Sequence, residues 1–142
     1  MTEQDLTEIN WTAAFVGFFV DWAFSEVAGW IVIAIMFALQ GISLESTETL
    51  PPDVFLATQV VGVLGAIVGG VAAGYIARRQ GTLHGVLGSV IGLVTTLCMS
   101  STLGGLELDV GFLGFIVLNL VGAGYGGGIG ERWRARREDN DD

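Results

Sequence analysis

The stretch from Gly62 to Gly92, GVLGAIVGGVAAGYIARRQGTLHGVLGSVIG, constrains this chain more than any other. Two apolar segments studded with glycine flank a short break that carries Arg78 and Arg79. Gly65 and Gly69, Gly70 and Gly74, Gly81 and Gly85, and Gly88 and Gly92 stand four residues apart. In a helix surrounded by water, each such glycine costs about 1 kcal/mol relative to alanine. In a bilayer the backbone must pair with itself, and small residues let helices approach closely. The stretch therefore predicts a transmembrane helical hairpin that turns at a charged membrane face.

Composition agrees. Of 142 residues, 51% are hydrophobic and 15% charged, against about 25% charged in a soluble domain. That places the chain in the membrane class. A single cysteine, Cys98, leaves no internal disulfide, and a single histidine, His84, rules out a His-rich metal site within one chain. Every basic residue is an arginine, and the net charge is −9. A nucleic-acid partner is excluded, since phosphate binding needs broad basic surface. Acidity without lysine is also one device of salt-adapted proteins. The N-terminal MTEQDLTEIN is acidic and lacks the positive region of a signal peptide, so no cleaved leader or lipid anchor is expected.

Read in order, the chain opens with an acidic segment, 1–10, and then an apolar run from Trp11 to Gln40. Thirty helical residues would extend about 45 Å, more than a hydrocarbon core of about 30 Å. Asp21 and Glu26 interrupt the run. One reading is a single long tilted helix. The other is an interfacial helix to Glu26 followed by a span over 27–44. The single helix is preferred, because 11–20 is apolar around its whole circumference, whereas an interfacial helix carries a polar face. A loop over 41–52 ends in Pro51 and Pro52, and Asp53 suits the first turn of a second span, 53–77. A third span covers 83–101, with the loop Arg78–Thr82 before it. A loop with Gly104, Gly105 and Glu107 follows, then a fourth span over 109–129. The tail, 131–142, is basic and then acidic.

Four spans put Arg78, Arg79, Arg132, Arg134, Arg136 and Arg137 on one face, whereas the other loops hold only acids, among them Glu45, Glu48, Asp53, Glu107 and Asp109. The positive-inside rule makes the arginine face cytoplasmic, with both termini inside a plasma-membrane protein. Three or five spans would split the arginines. The expected fold is thus an all-α, integral membrane four-helix bundle made of two hairpins. GGVAAGYIARR and GAGYGGGIGERWRARR also hint at a repeated hairpin.

Trp11, Gly17, Phe18 and Asp21 open the first span; Gly69 and Gly70 lead to Arg78 and Arg79, and Leu83, His84 and Gly85 step into the third. In these motifs the chain resembles a group of small, uncharacterised prokaryotic four-span membrane proteins. Its tyrosine, Tyr75, falls four residues later than in the group's GGY-type motif. The resemblance covers most of the chain outside the termini. It implies four spans and membrane residence, and no activity.

Asp21 and Glu26 are the sharpest chemical clues, because an ionisable group at membrane depth costs about 2.5–3.5 kcal/mol on insertion scales. Five residues apart, they stand about 140° around a helix and share no face, which argues against a catalytic carboxylate pair. They read either as a proton or cation relay, with His84 as a pH-sensitive gate, or more plainly as acids bonded to Asn119, Gln59 or a serine. His84 is more plainly an interfacial or backbone-bonded histidine. Arg78, Arg79, Arg132, Trp133, Arg134, Arg136 and Arg137 set topology and meet lipid headgroups. Glu138 to Asp142 are expected to be solvated and without fixed structure.

The glycines at 65, 69, 70, 74, 85, 88, 92, 122 and 126 are candidate packing positions: Gly65, Gly69, Gly70, Gly74, Gly85, Gly88, Gly92, Gly122 and Gly126. Gly122 to Gly127 formally fit G-x-G-x-x-G, but that site needs a strand before it and a helix after it. No catalytic residue, cofactor site or metal site is read. The direct reading is a non-enzymatic membrane protein, a structural or accessory subunit or homo-oligomer packed through glycine faces. Its partners would be the lipid bilayer and either a larger membrane complex or itself. The alternative is a small proton- or cation-conducting transporter or channel that uses Asp21.

Overall fold

The computed structural model describes residues 9–43, 50–103 and 110–141. Asn10 opens the first helix by accepting a hydrogen bond from the Ala13 N–H at 3.1 Å, as an N-cap does. Helix α1 (Trp11–Gln40) is one unbroken run of 30 residues, without the change to an interfacial segment near Glu26. It stops where Gly41 takes φ +66° and donates its N–H to the Phe37 carbonyl, an ending that glycine adopts without steric cost. Pro51 is extended and Pro52 begins α2 (Pro52–Ala77). Gln40 Nε2 donates to Asp53 Oδ2 at 2.6 Å and holds the end of α1 against the start of α2.

The reversal after α2 is tighter than the sequence suggests. Arg78 and Gln80 take φ of 65° and 55°, and α3 (Gly81–Leu103) starts at Gly81, not Leu83. The reason lies in α4 (Val110–Asp141), where Glu131 Oε2 accepts the Gly81 N–H at 2.8 Å and caps α3 from outside. α4 itself runs past the expected end at Ile129 through the tail to Asp141. The expectation of an unstructured Glu138–Asp142 is therefore corrected as far as Asp141. Arg134 Nε pairs with Glu138 Oε1 at 2.8 Å, and Asn140 Nδ2 donates to the Arg136 carbonyl at 2.8 Å; both are bonds four residues apart along the helix. Glu45, Glu48, Gly104, Gly105, Glu107 and Asp109 lie outside the described residues, as do residues 1–8 of the acidic N-terminal segment.

Four hydrogen bonds gather one end of the bundle. Arg134 reaches the Tyr75 carbonyl at 3.0 Å, Arg137 reaches the Tyr75 hydroxyl at 3.1 Å, Glu131 caps Gly81, and the Asn10 N–H donates to His84 Nε2 at 2.8 Å. The start of α1, the α2–α3 turn and the arginine-bearing part of α4 thus share one end. α1 and α3 run away from it, and α2 and α4 run towards it. Around the bundle the order is α1, α2, α4, α3, with α2 and α3 also touching across the diagonal.

Most of the described core is small. Ala13, Ala14, Ala66, Ala73 and Ala123 are buried together with most of the glycines and with Phe37, Val54 and Val61, whereas Phe15, Trp30, Leu56, Leu64, Leu118 and Val121 point outward. Small inside and large outside is the arrangement of a protein whose surroundings are as apolar as its side chains. All four helices are long and apolar enough to cross a membrane. By length and composition the chain is a multi-pass integral membrane protein with an all-α four-helix bundle.

Candidate functional site

The bundle is packed unevenly, and that creates the site. In the half next to the arginines, backbone meets backbone. A methyl group built on Gly70 or on Gly85 would overlap the Ala123 carbonyl, and one on Gly74 or on Gly81 would overlap that of Gly127. One on Gly126 would overlap the Ile67 carbonyl, and one on Gly130 that of Val71. α2 and α4, parallel neighbours, thus interlock through the two glycine-rich exits that looked alike in sequence. Gly69 lies against Gly17 and Asp21 of α1, and Gly88 against Ala14 and Phe18. Gly122 meets the side chains of Ile67 and Val63, and Gly92 is in ordinary contact with the Phe18 ring. Every candidate packing glycine is therefore spent inside one bundle.

In the other half the helices part around a cavity of about 690 Å³. α1 contributes Phe18, Phe19, Asp21, Trp22, Ser25 and Glu26 to its wall. α3 contributes Ser89, Gly92, Leu93, Thr95 and Thr96, and α4 contributes Phe112, Phe115, Ile116, Asn119 and Leu120. Gly62 of α2 closes the side. Asp21 lies about 15 Å along the helix axis from Trp11, at the boundary between the tight half and the open one.

Asp21 is held in place. Ser25 Oγ donates to its Oδ1 at 3.1 Å. Both side chains lie against Gly65, where an added methyl group would stand 2.6 Å from Asp21 Oδ1 and overlap Ser25 Oγ. One at Gly69 would sit 2.7 Å from the Asp21 Cβ. Two glycines four residues apart on α2 thus clear the space that the Asp21–Ser25 pair fills. The serine is one of the plain partners expected for Asp21; the bond is not to Asn119 or Gln59. Asn119 donates instead to the Phe115 carbonyl at 2.9 Å, yet it lines the same cavity. Among the described residues the one ion pair is Arg134–Glu138, so Asp21 and Glu26 have no basic partner there.

Two expectations change. Asp21 and Glu26 were placed on different faces of α1, but both line the cavity. From Asp21 through Phe18, Trp22 and Ser25 to Phe19, the cavity borders roughly 160° of the helix surface, wide enough to take in both acids. His84 does not join them. It is 2% exposed at the arginine end, with Nδ1 against the Gln80 carbonyl at 3.0 Å and Nε2 accepting from Asn10. That pattern is a neutral imidazole with its proton on Nδ1, and it clasps the start of α1 to α3.

The arginines divide as well. Arg134 and Arg137 are bonded to Tyr75, whereas Arg78, Arg79, Arg132 and Arg136 are exposed. Arg132, Trp133 and Arg136 line a small groove with Ile129 at the same end. Among the described residues no three potential ligands gather into a metal site. Ser25, Ser89, Thr95, Thr96, Trp22, Phe112 and Phe115 were not singled out from sequence. The signal for Ser25 was its spacing of four from Asp21. For α3 it was hydroxyls at 89 and 96, one heptad apart on one face.

The chain matches no protein-family model, no curated protein and no solved structure.

Proposed function

We propose that this protein carries a cation or proton across the plasma membrane, with Asp21 as the binding group. One observation carries the reading: inside a candidate membrane span, a carboxylate positioned by Ser25, Gly65 and Gly69 faces a large cavity, with no basic group among the described residues of its wall. Burying a carboxylate at that depth is costly, and intramembrane acids typically serve ion or proton paths. The glycine-packed half is then the closed side of the path and the cavity the open side. The positive-inside rule puts the arginine end, and with it both termini, in the cytoplasm, so the cavity opens towards the exterior. Arg78, Arg79, Arg132, Arg136 and Trp133 hold that end at the anionic headgroups. Alternating access requires the glycine contacts to part, which small residues permit because they interlock without long side chains.

The test is flux in proteoliposomes. Wild-type protein should dissipate an imposed cation or proton gradient, and Asp21→Asn should abolish that activity while eluting as wild type from a sizing column. Equal flux from both proteins removes Asp21 from the role.

A second reading, an accessory subunit without enzymatic activity, is favoured by the outer part of α1. Val27, Trp30, Ile31, Ile35 and Leu39 are all more than half exposed there, a face that lipid or a partner chain would cover. Native mass spectrometry of the gently extracted protein tests it; a heavier complex with a second kind of chain would support it.

A further inference from the structure

We propose that the cavity takes an organic cation, a substituted ammonium or phosphonium group on an apolar body, rather than a bare metal ion or a proton alone. The inference rests on the transport reading and names its substrate class. Size comes first. A cavity of about 690 Å³ falls in the range of about 300–1,000 Å³ typical of small-molecule pockets, whereas a desolvated metal ion needs close ligands on all sides. No three His, Cys, Asp or Glu side chains gather into such a set among the described residues.

The wall itself suits a different guest. Trp22 of α1 and Phe112 and Phe115 of α4 supply aromatic surface on opposing helices, and Asp21 and Glu26 supply negative charge on one side. Aromatic faces attract organic cations through their quadrupole, most strongly where water is excluded. A carboxylate adds a charge that selects the sign of the guest, and the apolar surface binds its body. An organic anion meets two carboxylates, and a neutral guest leaves both without a counter-charge.

The experiment uses the full chain in mild detergent, with tetraphenylphosphonium as the probe and equilibrium dialysis as the readout. Tetraphenylborate, of the same size and opposite charge, dialysed separately, is the control. The expected result is saturable binding of one phosphonium per chain and no saturable binding of tetraphenylborate. Asp21→Asn should raise the Kd at least tenfold. Thr96→Phe, which adds bulk to the cavity wall from α3, should abolish saturable binding, and it decides the matter if Asp21→Asn fails to fold. Absence of saturable phosphonium binding to wild type, saturable binding of tetraphenylborate, or an unchanged Kd in either folded variant overturns the proposal. If phosphonium does not bind while Asp21-dependent flux of protons or sodium persists, the substrate class is wrong and the transport reading stands. If no flux depends on Asp21, the transport reading itself falls.

Discussion

Gly74 is the position at which the packing can be tested most sharply. An alanine methyl there would overlap the carbonyl oxygen of Gly127 and stand 2.7 Å from its carbonyl carbon and 2.8 Å from its Cα. All three are backbone atoms, so no rotamer change relieves the clash. The helices must part by on the order of 1 Å to regain ordinary contact. Gly127 is pressed in turn against Gly81, so the strain passes from α2 through α4 to α3. Overpacking of this kind costs about 1–3 kcal/mol. Parting α2 and α4 also loosens the neighbouring contacts of Gly70, Gly126 and Gly130, which puts Gly74→Ala at about 3 kcal/mol of destabilisation. Gly29 is the control. A methyl there meets nothing within 4 Å, so Gly29→Ala should be neutral or up to about 1 kcal/mol stabilising through helix propensity. Reversible unfolding in mixed micelles with increasing dodecyl sulfate, followed by tryptophan fluorescence, measures both. If Gly74→Ala unfolds within about 0.5 kcal/mol of wild type, a span that ordinary surface substitutions also cover, the backbones are not in contact. If it instead changes the oligomeric state at unchanged stability, the glycine faces lie between chains.

Three further outcomes are expected. Gly65→Ala displaces Ser25 Oγ and Asp21 Oδ1, and in the proteoliposome assay it should lose most of the flux while Asp21 itself remains. His84→Ala leaves the part-buried Asn10 N–H without its acceptor and should cost about 1–3 kcal/mol in the same micellar unfolding experiment. For sidedness, in a Cys98→Ser background, S43C should react with a membrane-impermeant maleimide in intact cells. N140C should react only after permeabilisation; the reverse pattern would put the arginines outside.

Much of the fold was legible because bilayer physics narrows the choices. Apolar runs of span length, prolines at 51 and 52 and arginines confined to two places lead to four helices in two hairpins. The site was legible only in its charged groups. Asp21 and Glu26 stand out wherever they fall in an apolar run, but Thr96 or Phe115 looks like any other residue of a span. The five-residue spacing of the acids argues against a catalytic carboxylate pair on one narrow face, whereas the cavity borders a wider arc of α1 that takes in both. The width of that arc is set by how far the neighbouring helices stand apart. His84 joined the acids on a list of titratable residues, and its bonds to Asn10 and Gln80 removed it.

The amino-acid sequence by itself determined the class, the number of spans and the end of the bundle that carries the arginines, since these follow from hydropathy, length and charge counted along the chain. Only the tertiary structure decided that the glycine rows are used within one chain. It also decided that their close packing stops near Asp21 and that a cavity with aromatic walls opens beyond it. A glycine row permits close approach without naming the surface that approaches. That choice depends on the relative rotation and register of four helices, which no single segment encodes.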